Sequence, residues 1–244
     1  MNNTTQDQNK YNELVEKHGR TVNGEELVYI RRQETASTRL LVSLATLMNK
    51  GKFSSLPTHA ENFPGDVLFF ADPNNSYYLR EDGGFTFKSV VAEFMRDYDP
   101  KEVVFCGASM AGYASIDLAL HFNANAVVNN PQINLDATKE TCWGDLRDYI
   151  DNINSRHNID DLTYKNRNTV IGALFGQHPM DVANMEAFVK ICTKTPGLGV
   201  LFGHTHDKEH KYYYHGISTF MNMVNAVLSY RKFMDTINSK FTSL

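Results

Sequence analysis

Apolar and polar positions along this 244-residue chain follow two alternating rhythms. Short, nearly continuous apolar runs bounded by turn residues predict buried strands at 26–30, 39–44, 66–71, 103–106, 125–129, 169–176 and 199–203. Between them lie stretches with helical spacing. The clearest are 87–98 (Val90, Val91, Phe94, Met95), 113–121 (Ile116, Leu118, Leu120) and a long final segment near 207–237. A shorter helix is expected at 11–17. Strands alternating with helices predict a three-layer α/β/α sandwich around a mostly parallel sheet. Residues 1–20 read as a polar lead-in and 21–244 as one domain. The least regular stretch, 143–165, carries five aspartates beside Trp143, Tyr149 and Tyr164, and reads either as a cap or as a solvated helical excursion.

Composition narrows this picture. Apolar residues make up 42% and charged residues 21%, with a net charge of −4, values of an ordinary globular chain. No basic patch suits nucleic acid. No apolar run is long enough to span a bilayer, and residues 1–10 lack the apolar segment of a secretory signal. Three cysteines, Cys106, Cys142 and Cys192, lack metal-ligand spacing. A reduced, cytoplasmic setting is the expectation; the oligomeric state is left open.

The chemistry concentrates at Gly107-Ala108-Ser109-Met110-Ala111-Gly112. An apolar strand ends at a glycine, a serine follows two residues later among small neighbours, and a helical pattern begins. This is the layout of a nucleophile elbow, with Ala111 where a second glycine is usual. A serine hydroxyl near neutral pH needs a base, and a histidine base needs a group that fixes its tautomer. Asp181 follows the strand at 169–176 and is the candidate acid, although a helix N-cap would use the same side chain. Four of nine histidines, His204, His206, His210 and His215, cluster after the last strand. His206 sits at the expected strand-to-helix junction and is the preferred base, with His210, one helical turn on, as the alternative. The oxyanion hole is assigned to the amides of Met110 and Ala45, with Leu44 next.

Together these residues resemble the α/β-hydrolase superfamily over about 21–227. More narrowly, Pro131-Gln132 after a strand and His206-Asp207 before the last helix resemble a bacterial group associated with surface polysaccharides that includes capsule O-acetyltransferases. The resemblance implies acyl-enzyme chemistry on an acetyl-type ester of a small molecule or carbohydrate, without a metal or bound cofactor. Acetyl-CoA would be the donor if the acyl group passes to a sugar rather than to water. Tyr77, Tyr78, Phe85, Trp143 and Tyr149 are the aromatics available for stacking on a sugar. Two other readings remain: a non-catalytic α/β-hydrolase-like binding or scaffold protein, and a metal-dependent hydrolase using the His204–His210 cluster.

Overall fold

A computed structural model describes residues 2–32, 38–47, 49, 52–53, 55–164 and 168–241. Among them, eight strands form one sheet in the order β1-β2-β4-β3-β5-β6-β7-β8. These are β1 (Gly19–Val22), β2 (Glu25–Ile30), β3 (Leu40–Leu44), β4 (Asp66–Phe70), β5 (Val103–Ala108), β6 (Asn125–Asn129), β7 (Val170–Phe175) and β8 (Gly199–His204). Strands β3 to β8 run parallel, while β2 is antiparallel to both β1 and β4. The expected α/β/α sandwich is the observed architecture.

The apolar runs became strands for a simple reason. Every residue of β3, β4 and β6 is buried, as a parallel strand covered on both faces requires. One face is covered by α3 (Phe85–Met95), α4 (Met110–Phe122), α5 (Leu135–Thr141), α6 (Gly144–Asp151) and α7 (Pro179–Lys194). The other is covered by α1 (Asn2–His18), α2 (Leu56–Asn62) and α8 (Ile217–Phe241). Residues 2–18 are therefore a full helix, longer than the expected 11–17, and Tyr11, Leu14 and Val15 pack against the core. Strand β1 joins β2 through Asn23 and Gly24, both at positive φ (49° and 82°), the backbone that a two-residue hairpin demands.

The end of the chain departs from expectation. Residues 205–216 form no helix; α8 begins only at Ile217, immediately after Gly216 at φ 81°. The histidine-rich segment is thus a loop lying across the carboxyl ends of the parallel strands, where open α/β sheets place their ligands.

Candidate functional site

Ser109 stands between β5 and α4 at φ 54°, ψ −120°, a backbone state that costs a non-glycine residue about 1–3 kcal/mol. The tightness of the turn explains its small neighbours. A Cβ on Gly107 would stand 2.6 Å from backbone atoms of Ala111, and one on Gly112 would stand 2.8 Å from Pro131. Ala111 is inside α4 and needs no positive φ, so alanine fits there. Ser109 occupies the N-cap position, yet its side chain makes no capping bond. Its hydroxyl instead donates to His210 Nε2 at 3.0 Å. His210 Nδ1–H in turn donates to Asp181 Oδ1 at 2.5 Å, the tautomer that leaves Nε2 bare to accept a proton. Ser109 is partly exposed, while Asp181 is 1% exposed and His210 13% at the side chain.

Asp181 reaches the imidazole because another residue caps α7. His178 is the N-cap, its Nδ1 accepting from the Met180 amide at 3.3 Å, which frees the carboxylate one turn in. The competition between capping and chemistry expected at Asp181 is thereby resolved at its neighbour.

The imidazole that meets Ser109 belongs to His210, not to the expected His206. Thr205 N–H donates to Phe175 O and Gln177 N–H to Asp207 O, so the chain past β8 stays extended beside β7. That alternation turns His206 outward, where its Nδ1 meets Gln177 Nε2 at 3.2 Å. The loop then folds back over the elbow and is fastened from below. Asn129 Nδ2 and Asn130 Nδ2 each donate to Lys211 O at 2.9 Å, and the Tyr213 amide donates to Asn129 Oδ1 at 2.7 Å. Asn130 Oδ1 also accepts from the Gly176 amide at the end of β7. The pair Asn129-Asn130, just ahead of Pro131-Gln132, thus joins β6, β7 and the His210 loop. This role was not read from the sequence; two adjacent asparagines at the end of a buried strand were its only signal.

Of the two expected oxyanion donors, Met110 is the first residue of α4, where an amide has no preceding turn to bond to. Ala45 does not serve, because its amide donates to Phe70 O at 3.0 Å. Leu44 is engaged within β3 opposite Phe70. The residue that follows, Thr46, hydroxyl-bonds Ala108 O at 2.7 Å and holds the loop after β3 against the elbow. The metal reading finds no support in the placement of its residues: His210 and His206 face different partners, and no group of three or more His, Cys, Asp or Glu among the described residues is arranged to hold a metal. No helix among them is long and apolar enough to cross a membrane. Tyr77 and Tyr78 are buried, their hydroxyls bonded to Gln132 and to Ala45 O, and offer no stacking surface. Trp143 and Tyr149 are exposed, and the Trp143 ring lies 5.8 Å from that of His210.

No family model matches the chain, and no curated protein matches it by sequence. Solved structures do match. The capsule O-acetyltransferase of Neisseria meningitidis serogroup A superposes with a TM-score of 0.62 at 15% identity, covering 90% of this chain and 92% of that one. An esterase/lipase from an uncultured bacterium gives 0.59 at 11%, covering 90% and 83%. Acetyl xylan esterase 1 from Thermoanaerobacterium sp. JW/SL YS485 gives 0.58 at 15%, covering 84% and 80%. The chain therefore has the α/β-hydrolase fold.

Proposed function

We propose that this protein is a serine esterase or O-acyltransferase that handles an acetyl-type ester of a carbohydrate through an acyl-enzyme on Ser109. The observation that carries the reading is the unbroken chain of hydrogen bonds from Ser109 through His210 to Asp181. Ser109 Oγ attacks the ester carbonyl as its proton passes to His210 Nε2. Asp181 holds the ring and stabilises the imidazolium. Charge on the carbonyl oxygen is met by the Met110 amide at the positive end of α4. One such donor is worth about 3–4 kcal/mol of barrier. His210 then protonates the leaving alkoxide, which departs as the alcohol and leaves the acyl group on Ser109.

In the second half, water or a sugar hydroxyl gives its proton to His210 and attacks the acyl carbon; the bond to Ser109 Oγ breaks, and His210 returns the proton to that oxygen. A thioester donor enters by the same first step, with a thiol as the leaving group. The carbohydrate assignment rests on the fold neighbours, which include an acetyl xylan esterase and a capsule O-acetyltransferase, one mutant of the latter being in complex with CoA.

The test is a fluorophosphonate probe together with turnover of a small acetyl ester. Wild-type protein should label at Ser109 and hydrolyse the ester, whereas Ser109→Ala should do neither while keeping its circular dichroism spectrum. Turnover retained in folded Ser109→Ala removes the nucleophile.

A further inference from the structure

Helix α6 displays two faces. Leu146 and Ile150 point into the core, while Asp145, Asp148, Tyr149 and Asn152, at the complementary helical spacing, line a cavity of about 540 Å³ with Trp143 and Leu47. A second cavity of about 390 Å³ shares Tyr149 and Asn152 and continues to Asn74, Asn75 and Glu81. The two form one groove. It starts where the Trp143 ring meets that of His210 and at Leu47 in the loop after β3, and it runs away from the triad along α6. Its far wall is held rigidly: Asp72 accepts from Ser76 Oγ, the Tyr78 amide and Arg80, and Arg80 is bonded to Glu25 as well.

We infer that this groove binds a neutral, hydroxyl-rich glycan chain and delivers one of its ester or hydroxyl groups to Ser109. The assignment rests on the esterase or acyltransferase reading for its link to catalysis, but the groove's own chemistry chooses the ligand. A pyranose ring offers an apolar face of C–H bonds and a rim of hydroxyls. Two exposed aromatic rings, Trp143 at 44% and Tyr149 at 36%, supply electron-rich faces for the first. Carboxylates accept hydrogen bonds only, so Asp145, Asp148 and Glu81 suit the second, with Asn152, Asn74 and Asn75 both donating and accepting. The formal charge of the wall selects against a polyanion: Arg80, the cation lining it, is already bonded to Glu25 and Asp72, so phosphate or sulfate groups would meet like charge. A buried fit for a small apolar ester would not need so long and polar a trough.

Trp143 is the chain's sole tryptophan, so its emission reports occupancy of this groove. Ser109→Ala protein, which cannot turn substrate over, is titrated with xylohexaose and with chitohexaose. A saturable change in emission is expected with at least one of them. Tyr149→Ala and Asp148→Asn, placed in the Ser109→Ala background and checked for folding by circular dichroism, should each weaken it roughly tenfold or more. A chondroitin sulfate hexasaccharide should bind at least tenfold more weakly than the neutral chain. No saturable change with either neutral hexasaccharide overturns the inference, as does binding that both groove variants leave unaltered, or a preference for the sulfated chain. Fluorophosphonate labelling of the wild type separates this from the catalytic reading. A labelled protein without glycan response overturns the groove alone, and a glycan response without labelling supports the groove while overturning the acyl-enzyme.

Discussion

The distance from Ser109 Oγ to His210 Nε2, 3.0 Å, sets the first expected outcome at the scale of single residues. His210→Ala should lower kcat for a small ester by a factor on the order of 10³ or more, since it removes both the proton acceptor and the link to Asp181. His206→Ala should change kcat less than about threefold, because its ring meets Gln177 at the surface. Steady-state kinetics on both purified variants decide between them, and the reverse ranking moves the base. Ser109 was legible because glycine, serine and small residues in that spacing answer to one local geometry, the near-contact of strand and helix. Asp181 was legible by its place after a buried strand. Which histidine meets Ser109 was not, since four histidines lie within twelve residues and only the path of the loop decides which one turns inward. The Ala45 amide failed for a related reason: whether an N–H is free depends on what the neighbouring strand offers, here Phe70 O.

At the scale of elements, the contacts joining Ser109, His210 and Asp181 depend on a loop without regular structure held by the end of a strand. Asn129→Ala deletes the bond to Lys211 O and leaves the partly buried Tyr213 amide without its acceptor, a loss of about 1 kcal/mol. The expected result is a kcat reduced roughly tenfold or more, with KM for a small ester nearly unchanged. The chemical denaturation midpoint should fall modestly, so assays below that midpoint still read a folded protein. An unchanged kcat would mean that the loop holds His210 without this clamp. The same region shows where helical periodicity misleads. Residues 207–216 lead directly into the apolar spacing of the helix that follows, yet hold no aliphatic side chain of their own, only charged residues, histidines, three tyrosines and a glycine. Gly216, at positive φ just before Ile217, is the residue that marks the true start. Likewise Asn23-Gly24 is a strong hairpin signal, but β1 beside it is polar and exposed, and an edge strand of four residues leaves no apolar alternation to detect.

For the whole molecule, the parallel sheet was legible because buried strands need continuous apolar runs, whereas the two faces of helices were not assigned in advance. Their packing carries a pH dependence. His59 on α2 stacks between Phe69 of β4 and Phe220 of α8, at 6.0 and 4.7 Å between ring centroids, and its burial lowers its pKa from 6.5 to about 4. Between those values the unfolded chain binds more protons than the folded one. This contribution to stability is therefore complete above pH 6.5 and declines as pH falls toward 4, by about 3 kcal/mol in all. Urea unfolding at pH 7 and pH 5 should show a larger loss in the wild type than in His59→Phe, which keeps the stack and removes the proton site. Equal losses would place the acid sensitivity elsewhere. The long sequence separation of Ser109, Asp181 and His210 adds a kinetic consequence. Ser109 and His210 are 101 positions apart and Asp181 and His210 are 29 apart, so no local segment assembles any part of the reactive unit. After dilution from denaturant, catalytic competence should return later than far-ultraviolet ellipticity, because contacts of long sequence separation form slowly. Recovered turnover would then time the closing of β5, β6, β7 and β8 into register.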